Sequence, residues 1–208
     1  SNGVHHGTNR YEIGDQSLSI ENSKQIDLKY QWSNDHLGLV FNPFLHNIKD
    51  FISINPTDAF YQNIYRIYEY NQFSRVNLSG FEMNLHYHPH IIHNLHFEQS
   101  YTFINTKNYD NNTVLGLTPS NKIKTSVILD LREYNSRIKF QKFSLYYLHS
   151  FQQDNVVENE DITSSYNLFN VALNVNLFKK LNAVFGINNV LNVEYVPHLS
   201  RLKEVGGG

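Results

Sequence analysis

Apolar and polar residues alternate along most of the chain, and the pattern is clearest in residues 166–199. Every second residue from Phe169 to Leu177 is apolar, and the residues between them are asparagines and one alanine. The alternation resumes over 181–187, after a short turn, with Val184 as its exception. Because successive side chains of a strand point to opposite faces, this pattern predicts a β-hairpin with one apolar and one polar face. A tilted strand of about ten residues is long enough to cross the hydrocarbon core of a bilayer.

Six further segments alternate in the same way, so the sequence predicts an all-β protein with about eight antiparallel strands. These segments are 23–32, 37–46, 80–87, 95–103, 122–131 and 137–151. Residues 49–75 are predicted to form a long loop, in which 64–70 can extend a hairpin. Pro43 occupies an apolar position of the second segment. Because proline removes a ladder hydrogen bond, we expect a bulge or a local break there.

The connections between the predicted strands are alternately short and long. The short turns are 33–35, 88–93, 133–136 and 178–180, and the long polar loops are 1–22, 49–75, 105–121 and 152–165. All short turns would lie at one edge of the sheet and all long loops at the other, which is the asymmetry of outer-membrane barrels.

Charge placement agrees with one face that meets lipid. The charged residues at polar positions of the strands are Asp27, Lys29, Glu82, Glu98, Lys124 and Asp130. Arg137 and Lys139 fall on apolar positions, but they adjoin a turn, where a charge on the lipid face costs little. A soluble β-sandwich also alternates apolar and polar residues, so it remains an alternative.

Several stretches carry a resemblance to a known family. Residues 186–195, GINNVLNVEY, resemble the G-V-N-N-L-(F/L)-(D/N)-x-x-Y signature near the end of TonB-dependent outer-membrane receptors. Residues 198–203 continue it in the form found in the branch that handles zinc, copper, haem and iron chelates. Residues 2–15 resemble an extracellular segment of the same receptors, although Asp15-Gln16 replaces the usual Asn-Pro. The family adds a last strand that ends in an aromatic residue, and Gly206–Gly208 depart from that pattern.

The resemblance implies a transmembrane β-barrel of about 22 strands, of which this chain is one wall of about eight. Residues 1–208 would be the C-terminal part of that barrel, and the plug domain and the earlier strands would be absent. The resemblance also implies an outer-membrane receptor that takes up a metal or a metal chelate such as a siderophore, haem, zinc or copper. TonB would be its partner, bound through the absent N-terminal part.

The residues by themselves leave two other functions open. One is a small, self-closed, eight-stranded outer-membrane barrel with a structural or adhesion role, since about eight strands can close around a side-chain-filled interior. The other is a soluble β-sandwich that acts as a binding module.

Composition narrows the class of protein. The formal net charge is −2, which gives no electrostatic reason to expect nucleic acid as a partner. The chain has no cysteine, so neither disulfides nor thiolate metal sites are expected. No P-loop, G-x-S-x-G or H-E-x-x-H motif is present, and we expect neither an enzyme nor a cofactor. Tyr and Phe, at 14 residues each, suit strands and membrane interfaces, and outer-membrane lipid is an expected partner.

Histidine is the one chemical surplus, with 11 residues, and imidazole is a good ligand for zinc, copper, nickel and iron. Five histidines cluster in 86–96, at a predicted short turn, where a metal site competes with a turn of solvated imidazoles. Better placed to meet an incoming substrate are the residues of the predicted extracellular loops. We expect substrate contacts from His5, His6, Tyr11 and His198, with loop packing as the alternative for the histidines.

Overall fold

The computed structural model describes residues 2–131, 138–178 and 180–200, and these contain eleven strands in one sheet. The strands are β1 (Gly3–His5), β2 (Arg10–Ile13), β3 (Asn22–Asp27), β4 (Tyr30–Ser33), β5 (Leu37–Tyr61), β6 (Tyr65–Tyr87), β7 (Leu95–Asn108), β8 (Lys122–Asp130), β9 (Ile138–Ser150), β10 (Tyr166–Leu177) and β11 (Leu181–Ile187). A short 3-10 helix, His6–Thr8, lies between β1 and β2. The predicted turn at 133–136, Arg137 and residues 201–208 lie outside the described residues. Within those described, no helix is both long and apolar enough to span a membrane.

The long strands follow one another through the sheet. β3 and β4 both pair with β5 at one edge, and β5 to β11 then pair in chain order, always antiparallel. Since β3 and β4 together occupy the predicted segment 23–32, the long strands number eight, as the alternation predicts. The β1–β2 hairpin lies in the predicted loop 1–22 and joins β6 in parallel. The all-β, mostly antiparallel fold class is confirmed.

Register places the apolar positions side by side across the sheet. One uninterrupted apolar row crosses seven strands, through Leu37, Tyr87, Phe97, Val127, Leu145, Val171 and Ile187. On the opposite face a polar row joins Glu82, Thr102, Lys122 and Ser150. Large apolar side chains remain open to the surroundings, for example Ile26 at 61% and Phe185 at 60% exposure. We call the apolar side the outward face and the polar side the inward face.

The prediction of a long loop at 49–75 is wrong, because β5 and β6 continue far beyond the apolar rows. β5 has 25 residues and β6 has 23, and they meet only at a turn where Gln62 and Asn63 have φ of 52° and 56°. The strict alternation stops near residue 46, as the resemblance to membrane barrels implies for strands that project out of a bilayer and no longer need an apolar face. The β5–β6 hairpin therefore extends the sheet at its long-loop end.

Pro43 causes the expected local break, but the break falls on the neighbouring strand. The ladder with β5 is interrupted at Leu28 and Lys29, which separate β3 from β4. Leu28 N–H still donates to Pro43 O at 3.0 Å, whereas Pro43 has no N–H to return to Leu28. β3 and β4 pair with β5 in the same register, so the interruption of the ladder is confined to Leu28 and Lys29.

Phe44 breaks the alternation because of a glycine. It pairs with Gly80, on whose other side lies Ile104 of β7. A Cβ on Gly80 would lie 2.7 Å from Cζ of Phe44 and closer still to the backbone oxygen of Phe103. The Phe44 ring therefore occupies the inward-face space that the glycine leaves empty.

Candidate ligand-facing site at the long-loop end

The N-terminal segment packs along the projecting part of β6. Arg10 to Ile13 pair in parallel with residues 66–69 of β6, while β1 pairs with β2. The 3-10 helix between them ends at Asn9, whose φ of 49° is in the left-handed region that asparagine tolerates. This geometry presents His5 and His6 on the bend between the two short strands, and both are exposed.

Glu12 is the centre of this segment. It is 5% exposed, and its Oε1 lies 2.6 Å from both Nε and Nη2 of Arg10. Its Oε2 accepts from the Tyr70 hydroxyl at 2.8 Å and lies 3.4 Å from His5 Nε2. Burial raises the pKa of Glu12, but the hydrogen bonds from Tyr70 and Arg10 and the Arg10 charge lower it more, so the pKa lies below its ordinary value of 4.5. Glu12 is therefore ionised at neutral pH and joins β2 to β6.

Aromatic rings surround the exposed histidines. Tyr11 stacks on Tyr61 with ring centroids 4.2 Å apart, and His6 meets Tyr65 edge to face at 6.4 Å. Arg10 lies over the Tyr68 ring, 4.8 Å from its centroid. His6 and Tyr11 thus pack against the tip of the β5–β6 hairpin through Tyr65 and Tyr61, and the imidazoles of His5 and His6 are exposed.

His198 lies in a different place. Its Nδ1 is 2.9 Å from the Thr163 hydroxyl, its Nε2 is 3.3 Å from Glu160 Oε1, and its side chain is 3% exposed. Glu160 also accepts from the Leu117 N–H at 2.7 Å, so these contacts join three loop segments. No hydrogen bond, ion pair or ring contact in the described parts of the chain joins His198 to His5, His6 or Tyr11.

Sequence reasoning missed the residues that hold the candidate contacts in place. Glu12 lies inside the segment 2–15 that carries the resemblance, but its partner Tyr70 is 58 residues away. Glu160 belongs to an acidic loop, and no sequence signal distinguishes it from its neighbours. Tyr61 and Tyr65 lie in the segment that was predicted to be a loop.

The histidine cluster at the opposite, short-turn end is a set of stacked rings. His88 and His96 lie in nearly parallel planes with centroids 4.7 Å apart, and His36, from another turn, packs on His90. His96 Nε2 lies 3.2 Å from Asp130 Oδ2. Across the described residues, no group of three His, Asp or Glu side chains is arranged to hold a metal ion. The metal-site interpretation of this turn is therefore not supported.

The motif near the end of the described chain forms a compact turn that is held by hydrogen bonds of Asn189. Asn189, which is 7% exposed with φ of 51°, accepts from Val193 N–H through Oδ1 and donates to Val193 O through Nδ2, both at 2.9 Å. Its own N–H donates to Asn170 Oδ1 at 2.7 Å. The second asparagine of GINN therefore ends β11 and ties the following segment to β10.

Comparison with known proteins identifies the fold. A family model described as TonB dependent receptor-like, beta-barrel matches residues 1–190. A comparison with curated protein sequences finds no significant match. Among solved structures, the copper transporter OprC superposes with a TM-score of 0.79 at 13% identity, over 94% of this chain and 32% of that one.

Two other solved structures are similar. The FrpB iron transporter from Neisseria meningitidis gives a TM-score of 0.68 at 16% identity, covering 98% of this chain and 32% of its own. A mutant of the ferric enterobactin receptor PfeA from Pseudomonas aeruginosa gives 0.65 at 17% identity, covering 95% and 30%. The chain thus spans about a third of the length of these proteins, and at such identities they show the shared fold alone. On the family match over residues 1–190, the chain belongs to the TonB-dependent receptor-like β-barrel family, whose members are non-enzymatic proteins of the outer membrane.

Proposed function

We propose that residues 1–208 form the C-terminal part of a receptor barrel and that the complete protein takes up a transition metal ion or a metal chelate. The observation that carries the proposal is the two-faced sheet, with its apolar rows outward, its charges inward and its long loops at one end. Solved structures with this fold include proteins named as copper and iron transporters and a ferric enterobactin receptor. TonB would be engaged through a part of the protein outside residues 1–208.

Within this proposal, His5, His6 and Tyr11 contact the substrate. All three lie on the N-terminal segment that packs on the projecting hairpin, and the two exposed imidazoles are ligands that zinc, copper and iron favour. His198 also stays a predicted substrate contact, but unlike the other three residues it has a buried side chain. Because its side chain is 3% exposed against Glu160, it would reach a ligand only when the loops that bury it separate.

The two alternative functions have less support. Closure into a small barrel requires the outer strands to pair, yet no ladder in residues 2–131, 138–178 and 180–200 joins β3 or β4 to β11. A β-sandwich requires two packed sheets, whereas the described strands form a single sheet.

The proposal is tested in cells that express the complete receptor, with labelled zinc, copper and a ferric siderophore as substrates. The variant His5→Ala/His6→Ala should weaken uptake of the cognate substrate about tenfold or more, since even loss of a ligand's supporting contact costs that much. The matched control is His90→Ala/His93→Ala, which removes two histidines from the short-turn end and should leave uptake unchanged. Receptor abundance in the outer membrane is measured in parallel.

Two results would contradict different parts of the proposal. If cells without the receptor take up all three substrates as fast as cells with it, the proposed transport function is wrong. Normal uptake by the His5/His6 variant would remove those residues from the substrate site and leave the transport function standing.

A further inference from the structure

The outward face changes character at its long-loop end. On β6 and β7 the outward apolar row ends at Phe81–Phe103, and in the following row, Leu45–Ser79–Asn105, only Leu45 of β5 is apolar. The next row is Asn47–Asn77–Lys107, with Lys24 of β3 opposite Asn47, and the row beyond contains Lys49 opposite Arg75. Four exposed cations therefore follow the apolar rows on four adjacent strands. We call Lys24, Lys49, Arg75 and Lys107 the basic band.

The basic band lies beyond the apolar rows, on the side where lipid headgroups would be. Lys49 and Arg75 share parity with the apolar residues of their own strands, so they belong to the outward face. Lys49 lies four residues beyond Leu45, which corresponds to about 13 Å along a strand and less along the membrane normal because barrel strands tilt. Since the long loops are extracellular in outer-membrane barrels, the band meets the outer-facing leaflet.

The arrangement of these charges is unfavourable unless an anion is present. Lys49 and Arg75 are directly opposite partners on antiparallel strands, and like charges in that position destabilise a sheet. No ion pair involves any of the four cations in the part of the chain that the structure describes. Within the described residues, no carboxylate therefore pairs directly with these cations.

Neighbouring side chains hold the cations in place. Tyr109, which is 44% exposed, has the Arg75 guanidinium 4.9 Å and the Lys107 ammonium 5.2 Å from its ring centroid. With its amide oxygen turned toward Arg75, Asn47 accepts from Nε at 2.9 Å. Cations held against an aromatic ring keep their remaining donors free for an anion.

The carboxylates at the edge of the band are engaged with backbone groups. Asp110 accepts from the Ser74 N–H at 2.6 Å and from the Ser74 hydroxyl. Glu21 accepts from the Ile52 N–H at 2.6 Å. Asp50, next to Lys49 in the chain, makes no ion pair with the band in the described residues. Hydrogen bonding leaves these carboxylates charged, but the four cations of the band still outnumber the three carboxylates, and no carboxylate occupies the cation donors directly.

We propose that the basic band binds the phosphate group of an anionic lipid in the outer-facing leaflet. Juxtamembrane cations attract anionic lipid by about 1 kcal/mol each, and the apolar rows directly beneath supply a surface for the acyl chains. This continuity between a phosphate-binding band and an acyl-binding face favours a lipid over free phosphate. The inference rests on the outer-membrane placement of the family and not on the substrate proposed above.

The test uses the complete receptor, purified in a nonionic detergent and titrated with fluorescent phosphatidic acid. The variant Lys49→Gln/Arg75→Gln/Lys107→Gln should bind on the order of a hundredfold more weakly, at about fivefold per cation. The matched control, Lys122→Gln/Lys124→Gln/Lys142→Gln, changes the charge equally on the inward face and should stay within about twofold of the wild type. Folding of each variant is checked by its mobility on gels before and after heating. If the triple variant does not fold, Lys107→Gln alone is used, and its affinity for phosphatidic acid should fall about fivefold.

Three results would overturn the inference. One is equal loss of binding in the two triple variants, which would indicate a general charge effect. Another is binding of diacylglycerol with the same acyl chains as tightly as phosphatidic acid. The third is displacement of the lipid by inorganic phosphate at a similar concentration, which would indicate a site for the free anion. Because no transport substrate is present, each result is independent of the uptake experiment.

Discussion

Glu12 shows how one side chain fixes the position of the candidate ligand contacts. The carboxylate is nearly buried, and it is shared by Arg10 and by Tyr70 of β6. Hydrogen bonds to a charged group are each worth about 1.5–3 kcal/mol, more than a neutral hydrogen bond contributes. His5 and His6 are therefore held on the hairpin by a residue that need not touch a ligand itself.

The lowered pKa of Glu12 predicts an acid-sensitive segment. The pKa in the folded protein lies below the ordinary 4.5, so the ionised carboxylate stabilises docking fully above pH 4.5. That stabilisation is lost as the pH falls through the folded-state pKa. Hydrogen exchange at residues 10–13, corrected for the intrinsic effect of pH, should show constant protection above pH 4.5 and progressive loss below it.

Substitution of Glu12 supplies the control for this prediction. Glu12→Gln should lower protection above pH 4.5 by on the order of 2 kcal/mol, should resemble the wild type at low pH, where Glu12 is itself neutral, and should abolish the pH dependence. Asp15→Asn, in the same loop, should behave as the wild type at residues 10–13, because Asp15 is exposed and, within the described residues, its carboxylate hydrogen-bonds Ser17 alone. An unchanged pH profile in Glu12→Gln would assign the acid response to another group.

Some residue roles were within reach of the sequence and others were not. The motif in 2–15 points to His5, His6 and Tyr11, which share one short segment of the chain, and their role as substrate contacts stays a prediction. The burial of His198 against Glu160 depends on how two loops and the C-terminal segment fold over one another. Such loop packing leaves no periodic pattern in a sequence.

At the scale of the element, the β6–β7 ladder depends on Gly80. A Cβ at this position would collide with the backbone oxygen of Phe103, which cannot move without separating the two strands. Overpacking of this kind costs about 1–3 kcal/mol. Gly80→Ala in the complete receptor should therefore lower the temperature at which the barrel loses its compact gel mobility, and should reduce its amount in the outer membrane.

Gly38 offers a matched control for Gly80. It also pairs within the sheet, but a Cβ there would lie 3.8 Å from the His86 Cβ, an ordinary contact. Gly38→Ala should leave thermal stability and abundance unchanged. If the two variants behave alike, close packing at Gly80 is not a determinant of assembly.

The alternation pattern locates the strands only where a membrane imposes it. In the part of the sheet that carries the apolar rows, lipid on one side and water on the other require apolar and polar residues to alternate. The predicted segments match β5 to β11 in that part. Beyond residue 46 that requirement ends, so the projecting hairpin resembles a loop in sequence. The exceptions within the membrane part, such as Phe44, follow from a glycine on the next strand, which a single segment does not reveal.

At the scale of the whole molecule, the assignment of faces predicts opposite outcomes for two adjacent residues. Leu173 lies in an outward row with Phe143 and Phe185, whereas Asn174 lies in an inward row with Lys142. An arginine on the lipid face near the bilayer midplane costs about 2–4 kcal/mol. Leu173→Arg should therefore impair membrane assembly of the complete receptor, measured as its amount in the outer membrane.

Asn174→Arg is the paired test. The new charge faces the wet side, where repulsion from Lys142 costs at most about 1 kcal/mol, so assembly should be close to normal. Equal assembly of the two variants would show that the outward and inward faces are assigned wrongly.

The parallel pairing of β2 with β6 has a consequence for the order of assembly. Every antiparallel neighbour in the chain from β5 to β11 closes a local hairpin, whereas Glu12 and Tyr70 are 58 residues apart. Loop closure over such a distance carries an entropic cost that only an already formed β5–β6 hairpin can offset. The N-terminal segment is therefore expected to dock last and to detach first. The proposed substrate contacts would then reach their final positions only after the β5–β6 hairpin that supports them has formed.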